Sequence, residues 1–285
     1  VAAEVPAVAE PVITVDHITL RFGGVTSLAD VSLTAPRGDV LAVIGPNGAG
    51  KTSLFNCLTG VYQPQEGTIW LRGKDGRRIE LTGRKPHQVA RLGVARTFQN
   101  IRLFNALNAV ENVKVGADSL GHAGPISVML GLPRMRREER GATDRAVELL
   151  EFVGLSGRHD ALAASLSYGE QRRLEIARAL ATDPQVLLLD EPAAGTNPAE
   201  KNDLARLIRR INTETGTSVL LIEHDMKLVM SVATHVVVLN FGKVIASGAP
   251  AQVQNDAAVV EAYLGVADDH ADGTAGDGSD DAPRG

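Results

Sequence analysis

Cysteine is nearly absent from this chain. Cys57 is the only one in 285 residues, so no intrachain disulfide can form, which fits a reducing cytosol. Its expected place is a small buried apolar site on a helix. A surplus of positive charge is also missing. Against 34 Asp and Glu stand 29 Lys and Arg, for a net charge of -5 and a pI near 5.8. Binding to a phosphate backbone needs the opposite balance, so nucleic acid is not expected as a partner. Long hydrophobic runs are lacking too, since nothing approaches the ~20 apolar residues of a spanning helix. The longest suspicious run, Pro125 to Leu132, is short and contains Gly131. The opening VAAEVPAVAEPV has no basic region of the signal-peptide kind and contains Pro6 and Pro11, so residues 1–11 read as a flexible leader and the chain as cytosolic.

What remains, 44% hydrophobic and 22% charged residues, is the make-up of a globular protein with one large core or two lobes. From Val12 to Ile44 the runs VITVDHITLRF, TSLADVSLTA and DVLAVIG alternate as strands do, with breaks at Gly23-Gly24 and Pro36-Arg37-Gly38. A helix is expected from Gly50 to Gly60, and a hairpin from Thr68 to Leu81. Helical periodicity then dominates from about Pro86 to Ala181. Buried strands return at VLLLD, 186–190, and SVLLIEHD, 218–225, with a helix between them over Ala199 to Ile211. That βαβ rhythm implies a parallel sheet with ligands at the carboxyl ends of its strands. The last strand pair, HVVVLNFGKVIASG, turns at Asn240 to Lys243. From Ala267 onward the Asp/Gly-rich sequence has too little apolar surface to offset its ordering entropy, so residues 266–285 read as a disordered acidic tail.

The segment GPNGAGKT, Gly45 to Thr52, follows the apolar strand VLAVI and opens a helix. That context gives the pattern meaning as a phosphate-binding loop. Gly45, Pro46, Asn47, Gly48, Ala49 and Gly50 would wrap backbone N–H groups around a phosphate chain, and the helix start adds a favourable dipole. Lys51 would neutralise the β- and γ-phosphates. Thr52, with Ser53 beside it, would offer a hydroxyl to Mg²⁺. Taken alone, the loop specifies an NTPase of some kind. At VLLLDEP a buried strand ends in two adjacent carboxylates. Asp190 suits Mg²⁺, and Glu191 suits orienting and deprotonating the water that attacks the γ-phosphorus.

The stretch LSYGEQRRLEIARAL, from Leu166, resembles the signature motif of ABC ATPases, and it stands shortly before the paired carboxylates as it does in that family. The resemblance implies a P-loop NTPase of the α/β class: a RecA-like core with an antiparallel β subdomain and an inserted α-helical signature subdomain. It runs from about Val12 to Leu264 and implies one ATPase domain over 12–265, with core segments 12–94 and 183–265 and a helical subdomain over about 95–182. It further implies that two such chains pair head to tail, each signature loop, with Ser167, Gly169 and Glu170, closing on the ATP of the other. Tyr168 replaces the usual glycine and Glu170 the usual glutamine. The tyrosine is similar to the LivG-type subunits of branched-chain amino acid importers.

Other matches follow along the chain. Phe22 stands where the family stacks an aromatic on adenine, Gln99 resembles the glutamine that senses Mg²⁺ and the γ-phosphate, and His224 resembles the switch histidine. EPAAGTNP resembles the loop that crosses the dimer interface, although Thr196 replaces an expected methionine. Ile101, Leu103 and Phe104 are similar to the groove that receives a permease helix, and Asp118 to Arg140 resembles an insertion of the LivG-type lobe. The implied whole is an ATP- and Mg²⁺-dependent motor on the inner face of the membrane, bound to permeases and served indirectly by an extracytoplasmic binding protein. Alternatives are the ATPase of a urea or amide importer, or of a lipopolysaccharide exporter. A non-transport ABC ATPase of translation or repair would show tandem domains, a coiled-coil insertion or a basic stripe, none of which is visible.

Overall fold

A computed structural model describes residues 10–118 and 133–268. The leader through residue 9, most of the lobe insertion and the tail from 269 lie outside the described residues. Two sheets carry the fold. The first is antiparallel, with strand order β2-β1-β4-β5; its strands are β1 (Pro11–Phe22), β2 (Val25–Pro36), β4 (Glu66–Arg72) and β5 (Arg78–Glu80). The second has the order β10-β9-β3-β8-β7-β6. It comprises β3 (Val40–Ile44), β6 (Val94–Arg96), β7 (Val186–Asp190), β8 (Ser218–Ile222), β9 (His235–Asn240) and β10 (Lys243–Gly248). Its pairings are parallel except for the β9–β10 hairpin at one edge.

The central strands VLAVI, VLLLD and SVLLI are buried at every position, because layers cover both faces of a parallel sheet. One core joins the two sheets to helix α1 (Lys51–Leu58), burying Leu54, Phe55 and Leu58. Cys57 is buried there as expected, and burial pushes its thiol up to about 12. A second core joins the parallel sheet to the helical lobe, formed by α3 (Ala109–Asp118), α4 (Pro133–Phe152) and α5 (Tyr168–Leu180), and to α6 (Pro198–Thr215). The short helix α2 (Pro86–Arg91) precedes β6. A third cluster seats α7 (Met226–Val232), α8 (Pro250–Gln254) and α9 (Ala257–Asp268) against β3 and β9.

Helix starts follow local chemistry. At α6, Asn197 and Glu200 close a reciprocal capping box ahead of Pro198, and Gly216 ends the helix in the left-handed region at φ 70°. Asp225 caps α7 by accepting from the Leu228 N–H.

Three expected boundaries shift. Pro11 already pairs with Pro36, so β1 takes the last residue of the expected leader. Residues 95 and 96 belong to β6 in the core sheet rather than to the helical lobe, because Val94–Arg96 pairs in parallel with Val186–Leu188. Helix α9 continues through Asp268, so residues 266–268 are helical rather than tail. No described helix is long and apolar enough to cross a membrane.

Candidate nucleotide site

Strands β3, β8 and β7 lie side by side, and the loops leaving β3 and β7 meet at one cleft. Residues 47–53 line it with Ser27 and Glu191, around a volume of about 210 Å³. The loop can take this path because of two glycines. Gly45, at φ 148°, lies where a side chain would run into the Leu239 carbonyl, and Gly50, at φ 102°, where one would come within 2.6 Å of the Ser27 carbonyl. Helix α1 starts at Gly50 without any side-chain cap, so no side chain competes for its first N–H groups. Gly45 and Pro46 do not line the cleft; their carbonyls accept from the Lys51 ammonium at 2.7 and 2.8 Å. Lys51 is only 8% exposed. Desolvation pulls its pKa below the usual lysine range, while the carboxylates of Glu191 and Asp190 act in the opposite direction. Thr52 is exposed in the cleft, and the Ser53 hydroxyl shares a 2.7 Å hydrogen bond with Ser27.

The carboxylates are held separately. Asp190 is buried at the end of β7 and pairs with the Arg96 guanidinium at 2.7 Å; both side chains are under 10% exposed, at 6% and 7%. Arg96 also donates to Asn56 at 2.7 Å. Glu191 sits in the left-handed region at φ 46°, its N–H donating to the Ile222 carbonyl. A residue of this kind is strained there, and the strain turns its side chain out of the strand line into the cleft. The Gln99 amide donates to Glu191 Oε2 at 2.8 Å. Of the expected Mg²⁺ ligands, Thr52 lines the cleft, whereas Asp190, paired with Arg96, and Gln99, bonded to Glu191, are not among its lining residues; hydroxyl, carboxylate and amide oxygens are of the kind Mg²⁺ takes.

Other sequence candidates stand apart. Phe22 does not line the cleft; it is 46% exposed and meets Tyr62 edge to face at 5.0 Å. His224 is exposed, its ring 3.9 Å from the Glu223 carboxylate. Ser167 caps α5. Its hydroxyl accepts from the Glu170 N–H at 3.3 Å, and the Glu170 carboxylate accepts the Ser167 N–H at 2.9 Å. Glu170 also accepts from Arg158 at 3.0 Å, and these bonds, led by the one from the Ser167 N–H, hold its carboxyl below the usual range. The expected ligand Glu170 is thus spent on its own helix start. Gly169 packs against Glu200 of α6. Of Ile101, Leu103 and Phe104, Phe104 alone lines the apolar groove of about 390 Å³ between the lobes, whereas Leu103 packs on the helical-lobe core.

Sequence reasoning missed Arg96, Glu223 and Arg172. No local signal marked the first, a lone charge after two apolar residues. Glu223, fully buried at the end of β8, accepts from the Ala193, His224 and Asp225 N–H groups at 2.8, 3.1 and 3.3 Å. It thereby binds the loop after Glu191 to the loop carrying His224. Burial raises its pKa, against the pull of those N–H groups.

Comparison with known proteins accords with this geometry. The ABC transporter family model matches residues 28–194, and a model for branched-chain amino acid ATP-binding cassette transporters matches residues 243–269. The high-affinity branched-chain amino acid transport ATP-binding protein BraF of Pseudomonas aeruginosa is 47% identical over 257 residues, covering 90% of this chain and 99% of that one. LivG of Escherichia coli, named for the same transport, is 45% identical over 258 residues at 90% and 99% coverage. The ADP conformation of MJ1267, an ATP-binding cassette of an ABC transporter, superposes with a TM-score of 0.76 at 31% identity, covering 90% and 99%. With such matches running through both sheets and the helical lobe, the chain belongs to the ABC transporter family as an ATP-binding, ATP-hydrolysing subunit of its branched-chain amino acid branch.

Proposed function

We propose that this chain is the motor of a branched-chain amino acid importer and that ATP is hydrolysed in the cleft between residues 47–53 and Glu191. The observation that carries the site is the meeting of that loop with Glu191, 140 residues later in the sequence, around one cleft. Lys51 moves from its backbone carbonyls to the β- and γ-phosphates, and the N–H groups at the start of α1 receive the remaining charge. Thr52, Asp190 and Gln99 would hold Mg²⁺, which would supply charge neutralisation at the phosphates. Glu191 orients the attacking water and takes its proton. Gln99, bonded to Glu191, sets the direction of that carboxylate. His224 approaches the γ-phosphate from the β8 side, and Phe22, with Tyr62, offers an aromatic face to adenine.

The start of α5 is a second anion-binding end on the same chain, and it does not line the first cleft. It serves a second ATPase subunit, identical or homologous, in a head-to-tail pair, through Ser167 and Gly169. Glu170 acts there through the cap rather than on phosphate, since a carboxylate repels it. The apolar groove containing Phe104 receives a permease helix, which places the chain on the inner face of the membrane. The names of the relatives support the substrate.

Uptake tests the reading. In a strain deleted for this gene, the wild-type chain restores leucine, isoleucine and valine uptake and the Glu191→Gln variant does not. Normal branched-chain uptake in the deletion strain, with urea or amide uptake lost instead, overturns the substrate assignment.

A further inference from the structure

Arg172 and Glu175 form the most deeply buried ion pair among the described residues, 2% and 1% exposed and 2.9 Å apart, one turn inside α5. Nothing in the hydrolytic chemistry uses them. A pair sealed this far from water gains little over apolar residues of the same volume, so its placement calls for another reason. The partners supply one. The Arg172 guanidinium donates to the Phe98 carbonyl at 2.7 Å and to the Gln99 carbonyl at 2.8 Å. Glu175 accepts, at a long 3.4 Å, from the N–H groups of Phe98 and Arg102. The pair therefore grips the backbone of the segment whose Gln99 side chain bonds Glu191. The same guanidinium donates to the Tyr168 hydroxyl at 3.1 Å, in the first turn of α5. Arg102 and Arg96 cover the Phe98 ring at 4.6 and 5.2 Å, so the segment is fastened by its side chain as well.

We propose that Arg172, held in place by Glu175, is a positioning residue that makes the orientation of Glu191 depend on the placement of the α5 start. The route runs from Tyr168 through the Arg172 fork to the Gln99 backbone, and from the Gln99 amide to Glu191. A planar fork can reach both carbonyls, the carboxylate and the phenol at once, which a lysine ammonium cannot. Through this route a partner that moves the Ser167 loop also moves the group that aims water in this chain's own cleft. The inference rests on the reading of Gln99 and Glu191 given above.

The test compares the purified full chain with the double variant R172M/E175M and the single variant R172K. Removing both charges together leaves neither member of the pair buried without the other, and Arg178, which also feels Glu175, is only partly buried, so the double variant is expected to fold with its Tm preserved. Its kcat for MgATP should fall at least about tenfold while KM and the ATP Kd stay within about twofold, the pattern of a lost transition-state alignment rather than lost binding. Amide exchange should report nucleotide-dependent protection kept at residues 45–52 and lost at 98–102. R172K should lose kcat in the same sense with Tm unchanged, and it serves alone if the double variant does not fold. Wild-type kcat in either folded variant overturns the proposal. So does a loss of ATP affinity or Tm that accounts for the lost turnover, because that is what a merely structural pair would give. A Glu191→Gln control with wild-type turnover would sink the site reading itself, whatever Arg172 does.

Discussion

Helix α1 begins at a glycine loop with no side-chain cap, whereas α5 begins at Ser167, where a serine hydroxyl and the Glu170 carboxylate close a capping box. Both starts point a dipole at whatever lies before them. At α1 the flanking side chain is a cation, the buried Lys51, and the opposing wall carries Glu191. At α5 the flanking side chain is an anion that already occupies the end of its helix. The first start has no cap bond to give up, and only Lys51 must leave the Gly45 and Pro46 carbonyls to meet a phosphate chain. The second has to exchange a long 3.3 Å cap bond for an outside ligand, and its carboxylate sets a penalty on doing so. Such a difference suits one loop that grips a nucleotide within the chain and another that engages only when a second subunit delivers one.

The comparison breaks first at Glu191. Replacing it with Gln keeps ATP binding and should cut turnover by about 10²–10⁴, the usual share of a general base, as measured by phosphate release. Turnover within twofold of wild type would move the catalytic role elsewhere. Arg96→Met probes the wall behind the uncapped start. It leaves Asp190 buried without its partner and should lower the unfolding free energy by about 3–5 kcal/mol, read from urea denaturation. Ser167→Ala removes the hydroxyl of the capped start. It should lower stability by about 1 kcal/mol and leave the ATP affinity of the isolated chain unchanged, with turnover lost under conditions where subunits pair. A weakened ATP Kd for the isolated chain would instead place the α5 start in its own cleft.

The smallest effect belongs to Asp225, which ties α7 to α6. Its bond from Lys201 at 2.6 Å, with the Leu228 N–H, holds the carboxyl below the usual aspartate range. A lowered folded value means that the contribution is fully present above the unfolded pKa, about 3.9, and is lost as pH falls through the folded one. The Tm gap between wild type and Asp225→Asn should therefore be small and constant from neutral pH down to about 4 and close below it.

Much of this was legible in the chain alone. The phosphate loop reads directly because its spacing is local: a glycine turn, a lysine and a hydroxyl all act within eight residues. The acids that end VLLLD read equally well, since a fully buried strand must surrender its polar residues at its end. Arg96 was not legible. A single charge after two apolar residues gives no hint that it lies opposite Asp190, because the β6–β7 pairing joins segments 92 residues apart. Arg172 and Glu175 stand inside the signature stretch without any local mark of burial. Only the seating of α5 on the Gln99 segment buries them. The first strand of the helical region was missed for a related reason, since three residues carry no period.

Sequence alone determined the chemical parts of this protein: an anion-gripping helix start, a pair of acids at a strand end, a capped second start, and a hydrophobic pattern that makes the central sheet parallel. These are set by neighbours along the chain, where spacing and residue type leave few conformations open. Tertiary structure decided which parts meet, and in what state: Gln99 on Glu191, Arg96 on Asp190, Glu223 on the loop after Glu191, and Arg172 on the Gln99 segment. Such contacts join residues far apart in sequence, and burial determines whether a charge there is screened by water or fixes the geometry around it.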